Sequence, residues 1–201
     1  GAMIEEMKWE LTATREGFDV ALLDPLSHLA TFARPIGVFE ELKGRDLFQF
    51  SSFWLQEANA LSSDEEAGRL VRALREFCEW ALDAHEVDLG SEFLDALDGL
   101  ESSLPRMRHA NGVLEGSSQR DLAFSDESGS DRGQGYELIH LDEEQPGSFE
   151  TSGDRVRACS GDETFTVILP APLRPLLAAG DFLRLSISLE GHAEVFCCYP
   201  P

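Results

Sequence analysis

The sequence predicts an α+β protein: an N-terminal β-hairpin plus a helical bundle, then a small β-barrel-like module at the C-terminus. Three observations predict it. Residues 62–87 carry apolar side chains at a 3.6-residue period. From Tyr136 onward the period falls to two. Between them lies a small, polar, acidic stretch, 115–135, with little to bury. The domains read as 4–114, a hairpin and helical module; 115–135, an acidic Gly/Ser-rich linker or loop; and 136–201, a β-rich module.

Taken in order, Gly1-Ala2-Met3 reads as the remnant of tag cleavage and is set aside. Residues 8–23 read as the hairpin. Trp9, Leu11 and Ala13 alternate with polar neighbours, as do Phe18, Val20 and Leu22, and Arg15-Glu16-Gly17 supplies the turn. A helix follows over 26–33, until Pro35. Residues 36–44 are apolar but broken by Gly37 and Gly44, and stay ambiguous. A second helix covers 45–60. The central helix covers 62–87, and its start is marked twice. Ser62 with Glu65, and Ser63 with Glu66, both have capping-box spacing. Leu70, Val71, Leu74, Phe77, Cys78, Ala81 and Leu82 form its apolar face. A last helix runs over 91–104, with Pro105 as its stop.

Beyond the linker, strands are predicted at 136–141, 155–159, 164–169, 182–189 and 193–199. Residues 172–179 fit one short helix, since proline is tolerated in a first turn. Glu190-Gly191-His192 fits a hairpin turn. Five short strands and a short helix suggest a small barrel or curled sheet.

The net charge of −22 over 201 residues, with only two lysines, limits the partners. Phosphate binding needs clustered Lys/Arg, so the charge argues against nucleic acid. Solubility or adaptation to salt, a basic protein partner, and mimicry of nucleic acid remain as explanations of the acidity. Residues 1–114 hold 22 acidic and 10 basic side chains, 115–148 hold 9 and 2, and 149–201 hold 7 and 4. No apolar run approaches a membrane span. Cys78, Cys159, Cys197 and Cys198 do not form a disulfide framework, so a reducing cytoplasm is expected.

Catalytic and ligand signals are weak. Cys78 and His85 lie about 10 Å apart along one helix, too far to share an ion unaided. Cys197 and Cys198 fall on opposite faces of a strand, one expected in the core and the other at a surface or interface. Gly129, Gly133 and Gly135 lack the Lys-Ser/Thr of a phosphate loop. Asp126, Ser128, Ser130 and Asp131 lack the turn glycine and closing glutamate of a calcium loop. His28, His109, His140 and His192 have no partner at a diagnostic spacing. No catalytic residue, cofactor-binding residue or metal ligand is nominated, and no cofactor is expected.

Two stretches resemble known families. Asp46-Leu47-Phe48-Gln49-Phe50, followed by Leu70-Val71-Arg72-Ala73-Leu74-Arg75-Glu76-Phe77-Cys78-Glu79-Trp80, resembles the core-binding, SAM-like helical domain of tyrosine recombinases, over residues 26–104. Val167-Ile168-Leu169-Pro170-Ala171-Pro172-Leu173-Arg174, then Gly180-Asp181 and two strands, resembles the swapped-hairpin barrel of AbrB- and MazE-type regulators, over 155–199. The second resemblance implies a barrel that can dimerise. The leading expectation is a non-catalytic, acidic protein–protein interaction or adaptor protein in the cytoplasm. A protein is the expected partner, a basic one if the acidity serves binding; no membrane is involved, and a homodimer can form through the C-terminal module. The alternatives are a dimeric regulator of the transcription or toxin–antitoxin type and an enzyme of unknown class.

Overall fold

The computed structural model describes residues 2–36, 39–91, 93–116, 135–141, 155–160, 163–187 and 193–201. The expected linker over 115–135 falls mostly outside these residues. So do the Glu190–His192 turn and both loop motifs between 126 and 134. The chain divides into two compact units, Gly1–Pro105 and Arg106–Pro201.

The first unit is helical from its start, which overturns the expected hairpin. Helix α1 spans Ala2–Thr14 and buries Ile4, Met7 and Leu11. Those positions are three and four apart, one helical stripe. The alternation of Trp9, Leu11 and Ala13 is incidental, because Trp9 is 72% exposed and points away from that stripe. Gly17, at φ 78°, turns the chain where a side chain would be strained. The second half of the expected hairpin becomes a 3₁₀ turn, Val20–Leu23, capped by the Asp19 carboxylate accepting from Ala21 N–H.

Helix α2 covers Leu26–Phe32. The ambiguous stretch holds a 3₁₀ turn, Phe39–Glu41. Helix α3 (Gly44–Gln49) opens with Lys43 N–H donating to Asp46 Oδ2 at 2.8 Å. It widens into a π-helical turn, Phe50–Trp54, and leaves through α4, Leu55–Glu57. Leu55 N–H reaches Phe50 O across that turn. Ser51 Oγ also donates to Leu47 O at 2.9 Å, a side-chain bond that competes with the regular ladder. Phe50 and Trp54 stack at 5.7 Å, with Phe32 against both.

Helix α5 spans Asp64–His85 and is the packing rod the sequence predicts. Of the two possible caps, the chain uses Ser63 with Glu66. Ser63 Oγ accepts from Glu66 N–H at 3.1 Å, and Glu66 Oε2 accepts from Ser62 N–H at 2.8 Å. Ala67, Leu70, Val71, Ala73, Leu74, Phe77, Cys78, Trp80 and Ala81 are all buried. At 100° per residue they cover about half the circumference. The buried face is displaced from the expected one: it takes in Ala73 and Trp80 and leaves Leu82 50% exposed. The helix ends at Glu86, whose left-handed backbone (φ 57°) lets Val87 N–H reach back to Ala81 O.

Helix α6 spans Leu94–Gly116 and runs through Pro105, which the sequence reading takes as a stop. A proline there removes one helical hydrogen bond. Residues on both sides are nevertheless buried, Leu97, Leu100 and Leu104 in the first core and Met107, Ala110 and Leu114 in the second. That burial offsets the lost bond. The boundary between the two units falls inside this helix.

The second unit holds an antiparallel sheet of β1 (Gly135–Leu141), β2 (Arg155–Ser160), β3 (Glu163–Ile168), β4 (Phe182–Ile187) and β5 (Ala193–Tyr199). Their order is β3-β2-β1-β4-β5; β3 and β5, at the margins, come near each other without pairing, so the sheet curls but is not closed. The expected barrel is therefore not formed. Leu141, Val167, Leu183, Leu185 and Val195 share one face and pack with Met107, Ala110 and Leu114 of α6. The helix expected over 172–179 shrinks to a 3₁₀ turn, Arg174–Leu176, since Pro172 and Pro175 deny it amide donors.

Phe77 is fully buried at the centre of the first core. Phe77→Ala should destabilise the protein by about 3–5 kcal/mol. Chemical denaturation of the full chain measures this, and a loss below about 1 kcal/mol would contradict the assigned core.

Candidate functional site

Three constellations bring polar chemistry together. The first is buried in the second unit. Asp181 is fully buried, and Arg106, at the start of that unit's share of α6, grips it with both guanidinium arms. Arg106 Nη2 donates to Asp181 Oδ1 at 2.8 Å, Nη1 donates to Asp181 Oδ2, and Nη1 also donates to Leu176 O at 3.0 Å. Ala178 N–H donates to Asp181 Oδ2 at 2.7 Å. The Asp181 backbone carbonyl receives Leu141 N–H at 2.8 Å, and Gly180 N–H returns a bond to Leu141 O. One residue therefore ties α6, the 3₁₀ turn and the first rung between β1 and β4. Gly180 sits at φ 89°, which a side chain would strain.

The same stretch of α6 carries Asn111. Its Nδ2 donates to Cys198 O at 2.9 Å, and its Oδ1 accepts from Cys198 N–H at 2.8 Å. A carboxamide presents the same donor and acceptor as a peptide group, so Asn111 stands where a neighbouring strand would pair with marginal strand β5.

The second constellation lies at the start of α5. His28 Nε2 is 3.3 Å from Glu66 Oε1. The sequence reading assigns His28 no partner, and 38 residues separate the two, beyond any local spacing rule. Burial pushes the Glu66 carboxyl up, but hydrogen bonds from the Ser62 hydroxyl and N–H and from His28, with the His28 charge, outweigh it. The net effect holds Glu66 below the ordinary carboxylate range.

The third is the carboxylate-rich surface of the helical unit. Residues 1–105 hold 22 acidic and 8 basic side chains. Among its described carboxylates only Glu10, Asp46, Glu66 and Glu76 are half-buried; the rest are exposed. Among the described residues, four of the eight cations form ion pairs inside the unit. Lys8 lies 3.2 Å from Asp24, Arg15 holds Glu76 and Glu79, Arg45 meets Asp46, and Arg75 meets Asp98.

Cys78 and His85 do not converge. Burial pushes the Cys78 thiol up to about 12, with Asp88 and Glu79 adding to it, so at neutral pH it is an inert thiol. His85 packs edge-on against Trp80 (4.6 Å) and Phe39 (5.3 Å). Cys197 and Cys198 are both buried, which corrects the expected surface position for one of them. Cys159 and His140 lie on β2 and β1 at paired positions, and their side chains fall outside the description, as does all of His192. Among the described residues no three His, Cys, Asp or Glu groups are placed to hold a metal ion. No helix there is long and apolar enough to cross a membrane. Comparison with protein-family models, curated proteins and solved structures gave no match to this chain.

Two outcomes test these assignments. Arg106→Ala strands a fully buried carboxylate and should cost about 3–5 kcal/mol in denaturant unfolding; a near-neutral result would mean Asp181 is not held by this pair. Because Glu66 is depressed, its contribution to stability is present above the ordinary carboxylate value and fades as pH falls through the lower folded value. Glu66→Gln should therefore flatten the acid limb of a stability–pH profile. An unchanged limb would contradict the coupling.

Proposed function

We propose that this chain is a non-catalytic interaction protein whose helical unit docks on a basic protein surface. The observation that carries the reading is the surplus of exposed carboxylates on residues 2–105, where four of the eight cations are engaged in internal ion pairs. Such a surface attracts a cationic partner over distances set by ionic strength and raises the encounter rate. The ionisable groups that do converge, Arg106–Asp181 and His28–Glu66, join elements of the fold. Both terminal nitrogens of Arg106 and both carboxylate oxygens of Asp181 are spent on structural bonds, which supports a binding role over a catalytic one. A cytoplasmic setting belongs to the same proposal, and Cys78, buried and outside any disulfide, agrees with it. The alternative, a dimeric regulator of the transcription or toxin–antitoxin type, draws on a closed barrel, and no pairing of β3 with β5 closes this sheet.

The test is a pull-down from the native host, then affinity for the captured partner from about 50 to about 500 mM salt, where screening shortens from beyond 10 Å to a few ångströms. Affinity should fall steadily with salt. An affinity independent of salt would remove the electrostatic reading and leave the acidity as self-repulsion. In that case added salt should raise thermal stability with no partner present.

A further inference from the structure

Helix α1 carries an unusual outward residue. Trp9 is 72% exposed, whereas Trp80 is 4% exposed and Trp54 is half-buried. Indoles are among the most costly side chains to leave in water, and are concentrated at binding hot spots. Trp9 sits on the solvent stripe of α1, with Glu6 three residues and Glu5 four residues before it, both exposed. On a helix these are its direct surface neighbours. The Glu5 side chain is 76% exposed. Lys8, the cation of the same turn, lies nearer to Asp24 (3.2 Å) than to Glu5 (3.7 Å). Glu6 has no ion-pair partner among the described residues. The next turn offers Thr12 and Ala13, which leave the indole open on that side.

An electron-rich ring flanked by two carboxylates suits one chemical group best. A guanidinium lies flat on an indole and still presents its N–H edge to a carboxylate; an ammonium, compact and strongly hydrated, gains less from either contact. We propose that Trp9, with Glu5 and Glu6, is the docking point for an arginine side chain of the partner protein. The inference rests on the basic-partner reading above and deepens it by assigning the residue that is recognised and the place that recognises it.

The probes are an acetylated hexa-arginine amide and its hexa-lysine counterpart, titrated into the full chain at low salt. Affinities of the wild type and every variant are read by isothermal titration calorimetry, and tryptophan fluorescence reports the wild-type complex, since Trp9 is the most solvent-exposed of the three indoles. The arginine peptide should quench or blue-shift the emission saturably and bind more tightly than the lysine peptide. Trp9→Ala removes no core contact and keeps the fold, which circular dichroism checks. It should weaken arginine-peptide binding about three- to tenfold, while Trp9→Phe should retain part of the affinity. Glu5→Gln with Glu6→Gln should weaken binding and lower its salt dependence. Unchanged affinity in folded Trp9→Ala, or equal affinity for the two peptides, would overturn the Trp9 inference and leave the basic-partner reading standing. A failure of the wild-type chain to bind either peptide at low salt would overturn both. Concentration-dependent self-association in sedimentation, abolished by Trp9→Ala, would also overturn it, by assigning the indole to a second copy of this chain.

Discussion

The helical unit depends on one constraint: half the circumference of α5 must be kept from water. Nine buried side chains over about four turns present more apolar surface than any single neighbouring helix can cover. The chain therefore brings several short elements to it. Glu10 of α1 accepts from Trp80 Nε1 at 2.7 Å, and Arg15 just beyond α1 holds Glu76. His28 of α2 meets Glu66 at the other end. Phe39, from a three-residue turn, fills the space beside Phe77, Trp80 and His85. None of these short helices would persist alone in water, where pieces under about 15 residues are marginal. They owe their helicity to the face they cover.

In the second unit the equivalent role falls to a polar tie. The described apolar side chains Leu141, Val167, Leu183, Leu185 and Val195 of the sheet pack with Met107, Ala110 and Leu114. Burial alone does not fix how far a helix slides along a sheet. The fork of Arg106 on Asp181 and the paired bonds of Asn111 to Cys198 do fix it, because both demand alignment to within a few tenths of an ångström. Five residues separate Arg106 from Asn111, so the two ties act at successive turns of one helix.

How legible was this in the sequence? Elements with a strong period were legible. The strand positions and α5 with its Ser63 cap follow from periods of two and 3.6 and from capping chemistry. Helix α1 was not. Its buried set is only Ile4, Met7 and Leu11, and an exposed Trp9 between them imitates the alternation of a strand. Pro105 misled for a related reason. A local cost marks a helix end only when nothing beyond it is buried, and here Met107 is. Sheet closure is not encoded in any local pattern, because it depends on whether β3 and β5, which come near each other, also pair. The polar ties were equally hidden: Asp181 lies 75 residues from Arg106, and Cys198 lies 87 from Asn111. Trp9 was visible as a residue, but its meaning changed with the element. On a strand it would have been a core contact; on α1 it faces outward.

The Asn111 carboxamide has a consequence for the life of the protein in a crowded solution. A marginal strand with unspent peptide groups is a template on which another chain can add, and such addition repeats without limit once begun. At Cys198 both peptide groups are already satisfied by a side chain of the same molecule. An incoming strand would have to displace two good bonds before making its own. This position of β5 is thus closed to sheet extension by a single amide, beside the bulge at Phe196 and the prolines that follow the strand.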